Sequence, residues 1–332
     1  MSQESRPTLR DVARRAAVSK STASRVLNDH ANVTNDAREA VLKAVAEVGY
    51  VPNQSARSLK TNRTLTLGLV VTRIRNEVFA GIAQGMSQGL TELGWTLIVG
   101  TSNDRPEQEA RLIASLGPRV DGIAVSVVDE RSAETKRVLR GLRIPILLLD
   151  REIAGLDADQ LVSDHSAGIG ASMSDLREHG HDAIGLIAPP THVRAGREVA
   201  RVFLDHGGRE EMIRTGSLTE EFGQRAATSL LDGSTRPSAL IVSGTEVLAG
   251  VLGVFRDRRL RVPADISLVA YDESPAARFH DPGINALARD PERIGAMAAE
   301  LLRRRIDGSQ GPPRRTVLPT VYVPRGSVRR LG

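Results

Sequence analysis

The sequence predicts a small all-α head over residues 1–50, a linker over 51–62, and two α/β lobes in tandem, each organised on a parallel sheet. Three observations predict it. Residues 8–50 carry apolar positions at helical spacing in three short blocks. From residue 65 onward, short apolar β-rich runs alternate with longer amphipathic stretches, the punctuation of βαβ units. The basic surplus sits almost wholly at one end: residues 1–62 hold 10 Lys/Arg against 6 Asp/Glu, and the remaining 35 against 34 nearly cancel.

In the head, Leu9, Val12, Ala13 and Ala16 make one apolar stripe, with Thr8 as cap and Asp11 as the acidic half of a capping box. Ala17 and Val18 form a tight turn, and Ser19 is a natural cap for a second helix. On that helix Thr22, Ala23, Val26 and Leu27 face inward, while Lys20, Ser21, Ser24 and Arg25 face out. A helix of this width fits the DNA major groove, where Lys and Arg donate to guanine O6 and N7. The pattern is a helix-turn-helix presenting a recognition helix. On this stretch alone, an ordinary bundle with a solvated basic face competes with it. Thr34 caps a third helix, whose stripe is Ala37, Val41, Val45 and Val48, and Gly49 ends it.

At this point a resemblance enters. DVARRAAVSKSTASRVLN, followed by VTNDAREAV, GYVPNQSARSLK and then TLGLVV, resembles the lactose-repressor (LacI/GalR-type) family of transcription regulators, and the match continues to the C-terminus. Lys20, Ser21, Ser24 and Arg25 are the candidates for base edges. The resemblance adds Asn32 as a further groove contact. Thr8, Ser19, Asn28 and Thr34 suit phosphate contacts that fix register. In the linker, Asn53 can cap a short helix whose exposed end carries Leu59 and Lys60; the alternative is a flexible tether. The resemblance implies that Leu59, beside Ala56, wedges into the minor groove, with Asn53 and Lys60 on the backbone nearby. So short a helix is expected to order only on DNA and beside a partner subunit. One departure is Ala17, where the family usually has Gly.

The chain has 332 residues, 26% charged and 40% apolar, as in a soluble globular protein of two or three units. It has no cysteine, which excludes disulfides, thiol chemistry and thiolate metal sites. No export signal or membrane-length apolar run is read, so the expected location is cytoplasmic, with no membrane partner. The formal net charge of +5 supports phosphate neutralisation without deciding it.

In the body, LTLGLVV, WTLIVG, DGIAVSVV and IPILLLD read as strands, with helices over 78–93, 106–116 and 132–142. A second set follows: AIGLIAP, EMIRTG, ALIVSG and ISLVAYDE, with helices over 166–179, 219–231, 247–258 and 291–306. Two such lobes suggest a bilobal sensor of the periplasmic-binding-protein kind. The resemblance implies crossings near Ser163, Ala288 and Pro319, giving lobes of about 63–163 with 288–319 and 164–287 with 320–332. Gly81, Gly85 and Gly89 form a small-residue face, made for close packing on the sheet or against a second subunit. Gly168 and Gly170 read as ordinary helix-start glycines rather than a dinucleotide motif. His179 and His181 lack the company a metal site needs, and Arg303, Arg304 and Arg305 read as a solvated helix end.

An effector cleft is expected between the lobes, at the carboxyl ends of the strands. Asp150 and Asp272 end strands there. Each suits a turn-capping role, but two facing one cleft favour the sugar-hydroxyl role that the resemblance implies. Thr72 follows the first strand and Phe79 lies near the mouth. Over 194–203 the family's ligand-binding segment is degraded, and Arg197 is the best match to its arginine. Thr245 and Glu246 stand where Asn-Asp is usual, Arg289 where Gln is common, and Arg73 and Arg75 where relatives carry Asp or Ser. These arginines suggest a sugar phosphate or carboxylate; the alternative is that they point to solvent. The 3% aromatic content argues against a sugar stacked on Trp.

The resulting expectation is a homodimeric, sequence-specific DNA-binding regulator, a repressor by resemblance, on a pseudo-palindromic operator. A sugar or anionic sugar derivative would bind between the lobes and change DNA affinity. No catalytic group, metal or cofactor is assigned, since the motifs of nucleophile elbow, phosphate loop and zinc site are missing. The alternatives are a regulator of this fold without an effector, and a solute-binding sensor, which leaves residues 8–60 without a purpose.

Overall fold

The computed structural model describes residues 7–27, 33–50 and 63–332. The chain divides into two compact units, Met1–Thr64 and Leu65–Gly332.

The first unit holds three helices: α1 (Leu9–Arg15), α2 (Lys20–Leu27) and α3 (Asn35–Val48). Its core is built of small side chains, Val12, Ala13, Ala23, Val26, Val41 and Ala44, edged by Leu9, Val45, Val48 and Tyr50. The Asp11 carboxylate accepts from the Thr8 N–H at 2.9 Å and from its hydroxyl at 2.7 Å. Ser19 Oγ accepts from the Thr22 N–H at 3.0 Å and so starts α2. Ala17 turns the chain in the left-handed region, φ 53°, a conformation that an L side chain holds at a cost of about 1 kcal/mol. Gly49 closes α3 in the same region, φ 63°.

The second unit contains two six-stranded sheets. The first uses β1 (Thr66–Val71), β2 (Thr96–Thr101), β3 (Gly122–Val125), β4 (Ile146–Leu149), β5 (Asp159–Asp164) and β11 (Arg315–Pro319) in the order β11-β5-β4-β3-β1-β2, all parallel. The second uses β6 (Ile184–Ala188), β7 (Ile213–Thr215), β8 (Ala239–Ser243), β9 (Ser267–Tyr271), β10 (Asn285–Ala288) and β12 (Val321–Val323) in the order β12-β10-β9-β8-β6-β7. The two orders correspond strand for strand. One strand departs from the expectation of purely parallel sheets: β12 runs antiparallel to β10. Only Thr320 separates it from β11. The central strands β1, β3, β4, β6, β8 and β9 are buried throughout, which is why they read as unbroken apolar runs.

The helices that position the site are α4 (Glu77–Thr91), α5 (Pro106–Leu116), α6 (Ala133–Gly141), α7 (His165–Glu178), α8 (Arg194–Asp205), α9 (Glu220–Leu231), α10 (Thr245–Asp257), α11 (Pro275–Arg278) and α12 (Pro291–Ile306). The stretch 194–203, expected to be a degraded ligand segment, is the regular helix α8, anchored by Val199, Val202 and Phe203.

Gly81 and Gly85 on the glycine face of α4 meet α12 and not the sheet. A Cβ on Gly85 would stand 1.9 Å from the Glu292 carbonyl oxygen, and one on Gly295 would stand 2.1 Å from that of Ile82. The backbones of α4 and α12 touch, and only glycine permits it. Gly223 and Gly250 do the same for α9 and α10. One member of the arginine run at the end of α12, Arg305, departs from its reading as a solvated end, while Arg304 is exposed as expected. Arg305 turns in to the buried Asp159 carboxylate, donating through Nε at 2.8 Å and Nη2 at 2.7 Å.

Candidate functional site

On the head, Lys20, Ser21 and Arg25 are exposed on one face of α2, with Ser24 half-buried beside them, while Ala23 and Val26 of the same helix lie in the core. Ser19, at the start of α2, is exposed and its Oγ contacts Ser21 Oγ at 2.7 Å and Thr22 Oγ1 at 2.8 Å. Thr8 and Thr34 are exposed at the starts of α1 and α3. Lys20 and the hydroxyls of Ser19 and Ser21 thus gather at the positive end of the α2 dipole, and Arg25 extends the exposed polar surface into the last turn. Asn28, Asn32, Asn53, Ala56, Leu59 and Lys60 lie outside the described residues.

In the body, a cavity of about 330 Å³ lies between the two sheets at the carboxyl ends of their strands. Thr72, Arg73, Phe79, Asp150, Asp272 and Arg289 line it. Arg197 and Thr245 do not. Arg197 stands half-exposed on α8 and pairs with Glu130 at 2.7 Å. Thr245 is the first residue of α10, and the preceding Ser243 and Gly244 face the cavity instead.

Asp150 follows β4 and Asp272 follows β9, the corresponding strand of the other lobe. Both hold positive φ, 50° and 90°, a backbone strain typical of residues kept for a site. They are joined by an ion lattice. Arg194, on α8, donates from Nη1 to Asp150 at 2.8 Å. Arg289, on the crossing after β10, grips Asp272 through Nε at 2.7 Å and Nη2 at 3.2 Å. Its Nη1 reaches Asp150 at 3.3 Å. His165, on the crossing after β5, places Nε2 3.3 Å from Asp150, while its Nδ1 bonds the Tyr271 hydroxyl. Burial alone would push the Asp150 carboxyl up, but His165, Arg289 and Arg194 outweigh it and hold that carboxyl well below the usual carboxylate range. Burial likewise drives the Tyr271 hydroxyl upward, so it stays protonated.

Beside this lattice, Glu130 accepts from the Arg194 N–H at 2.7 Å, the Glu152 N–H at 3.0 Å and Arg197 Nη2 at 2.7 Å. Arg73 pairs with Asp104, and Arg75 stands 3.6 Å from Glu246. The arginines expected to receive an anion therefore already face carboxylates. Arg194, Glu130, His165 and Tyr271 were not singled out from the sequence. The usable signal was position: His165 and Arg289 each stand immediately after a strand that carries the chain between lobes.

A helix-turn-helix head with a cationic reading face, in one chain with a two-lobed body enclosing a cavity at its strand ends, defines a ligand-responsive, DNA-binding transcription regulator. Residues 8–53 match the lacI family of bacterial regulatory proteins, and residues 173–328 match a periplasmic binding protein-like domain. The chain is 33% identical over 308 residues to the HTH-type transcriptional repressor PurR of Proteus mirabilis, covering 90% of each protein. It is 28% identical to the ribose operon repressor of Haemophilus influenzae, covering 98% of this chain and 99% of that one. Among solved structures, the transcriptional regulator CelR in complex with cellobiose is 31% identical with a TM-score of 0.71, over 97% of this chain and all of that one. The lac repressor dimer bound to operator and the anti-inducer ONPF shares the fold at a TM-score of 0.84 and 24% identity, over 98% and 99% of the two chains. The chain belongs to the lacI family of bacterial regulatory proteins. Among the described residues, no helix is long and apolar enough to cross a membrane.

Proposed function

We propose that the chain acts in the cytoplasm as a homodimeric repressor, without catalytic activity. It reads a pseudo-palindromic operator through Lys20, Ser21, Ser24 and Arg25, with Thr8, Ser19 and Thr34 on phosphates. One observation carries the reading: the outward face of α2 is polar and cationic while its inner face is fully committed to the core. A small molecule between the lobes then controls operator affinity. Support for that part is the cavity itself and the ion lattice that joins the two lobes beside it, since a ligand seated between the lobes changes how they are held.

Selection of bound duplexes from a random pool, followed by anisotropy titration of the winner, tests the proposal. Arg25→Ala and Lys20→Ala should each cost about 1–3 kcal/mol of specific affinity and relax preference at one base position. Parental specificity in both variants would reject this reading face.

A further inference from the structure

We infer that the interlobe cavity takes an uncharged molecule with a broad apolar face, held at two points by the hydroxyls of Ser126 and Ser243, and not a polyol or a sugar phosphate. The inference rests on reading the cleft as an effector site and names the class of effector.

The charges around the cavity are already spent. Its lining carries Arg73, Arg151 and Arg289 against Asp104, Asp129, Asp150 and Asp272, and Arg194 supplies the missing cation from behind Asp150. Asp150 receives Arg194, Arg289 and His165 as well as the Ser163 N–H at 3.3 Å, and Asp272 is gripped twice by Arg289. Asp150, with four donors, has little lone-pair capacity left for sugar hydroxyls, and Asp272 has about half of its own. Arg73 is taken by Asp104, and Arg151 donates to the main-chain carbonyls of Val127 at 2.6 Å and Asp150 at 2.9 Å. A phosphate would have to break a carboxylate pair, or the two carbonyl bonds of Arg151, to find a cation.

Most of what remains is apolar: Val78, Phe79, Leu149, Leu161, Val193 and Leu218 supply much of the wall. Among the polar groups lining it, two stand apart. Ser126 is fully buried and Ser243 is 3% exposed, and neither hydroxyl has a hydrogen-bond partner among the described residues. They hold corresponding places in the two lobes. Ser126 follows β3 and Ser243 ends β8, each beside the strand that runs into its lobe's strained aspartate. Both serines line the cavity while their hydroxyl oxygens are turned away from solvent. Buried hydroxyls are almost always satisfied, so a matched pair of orphans one χ1 rotation from a cavity points to a ligand that draws them in and satisfies them. A hydroxyl both donates and accepts, which suits carbonyl, amide or lactam groups at two ends of a flat molecule.

Thermal melting of the full chain tests this with three probe sets at equal millimolar concentration: coumarin, quinolin-2-one and benzamide; ribose and cellobiose; and ribose 5-phosphate. The uncharged aromatic set should raise Tm by at least about 2 °C. A Ser126→Ala/Ser243→Ala variant should lose that rise, while melting without probe at or above the parent temperature, because it removes two unpartnered hydroxyls. A larger rise with ribose, cellobiose or ribose 5-phosphate overturns the ligand class and leaves the cleft as an effector site. An undiminished rise in the double variant, or a lower melting temperature without probe, overturns the serine assignment. No rise with any set overturns the inference; the effector reading itself falls only if a small-molecule extract of cells also leaves operator affinity unchanged.

Discussion

Arg194 Nη1 and Asp150 Oδ1 meet at 2.8 Å across the boundary between the two sheets, with the arginine side chain 6% and the aspartate 18% exposed. Removing the cation leaves a carboxylate that has lost its shortest charged contact and sits in a poorly solvated place. Arg194→Met should therefore destabilise the body by about 2–3 kcal/mol, since Asp150 keeps Arg289 and His165, and adding Asp150→Leu should not recover it, because Arg289 Nη1 and His165 Nε2 then lose their partner. Arg197→Met, only three residues on, should cost less, because that guanidinium is 44% exposed and the Glu130 carboxylate it leaves, itself 4% exposed, keeps two backbone N–H donors. Urea denaturation of the four proteins reads the order directly. Equal losses in the two single variants would contradict it.

The α4–α12 contact makes opposite forecasts for two glycines one turn apart. Gly85→Ala drives a methyl into the Glu292 carbonyl and should destabilise by about 1–3 kcal/mol. Gly89 has nothing within 4 Å of a Cβ, so Gly89→Ala should stabilise by about 0.5–1 kcal/mol through helix propensity. Equilibrium unfolding of both variants checks the signs.

Ala17 turns with φ 53°, where glycine carries no Cβ penalty. Ala17→Gly relieves about 1 kcal/mol of strain and loses part of that to the greater freedom of the unfolded chain. A net gain of about 0.5 kcal/mol is expected. Hydrogen exchange in the intact chain should show slower exchange at Val12 and Val41 amides, and faster exchange would refute it.

Glu109, on α5, is buried and accepts from the Val128 N–H at 2.7 Å and from Thr135 Oγ1 at 3.1 Å. Burial pushes its carboxyl up to about 7 despite those two bonds. The folded state thus holds a proton that the unfolded chain, with its ordinary value of 4.5, gives up sooner. Stability from this group is complete below pH 4.5 and is lost as pH rises towards and through 7, by about 3 kcal/mol in total. Glu109→Gln keeps the shape without the titration. Denaturation at pH 5, 6, 7 and 8 should show the parent losing stability relative to this variant across that window. Parallel curves would show that Glu109 titrates normally.

Much of the architecture is legible in local sequence pattern. The stripes Leu9, Val12, Ala13 and Val41, Val45, Val48 announce their helices because a period of 3.6 residues puts them on one side. The runs TLGLVV and ILLL announce central strands because a parallel sheet buries both faces. Asp150 and Asp272 were legible as cleft residues because ligands gather at the carboxyl ends of such strands.

What local pattern could not reveal is which side chain meets which. Arg194 and Arg197 look alike in sequence, and only the seating of α8 on its lobe sends one inward to Asp150, 44 residues away. Arg305 finds Asp159 across 146 residues, and the glycines of α4 find α12 rather than a sheet. Periodicity reports a residue's side of its own element, a property of the chain over one or two turns. Partners, charge balance and the orphaned hydroxyls of Ser126 and Ser243 are properties of elements brought together from distant places, and they exist only once the two sheets have closed on a common cavity.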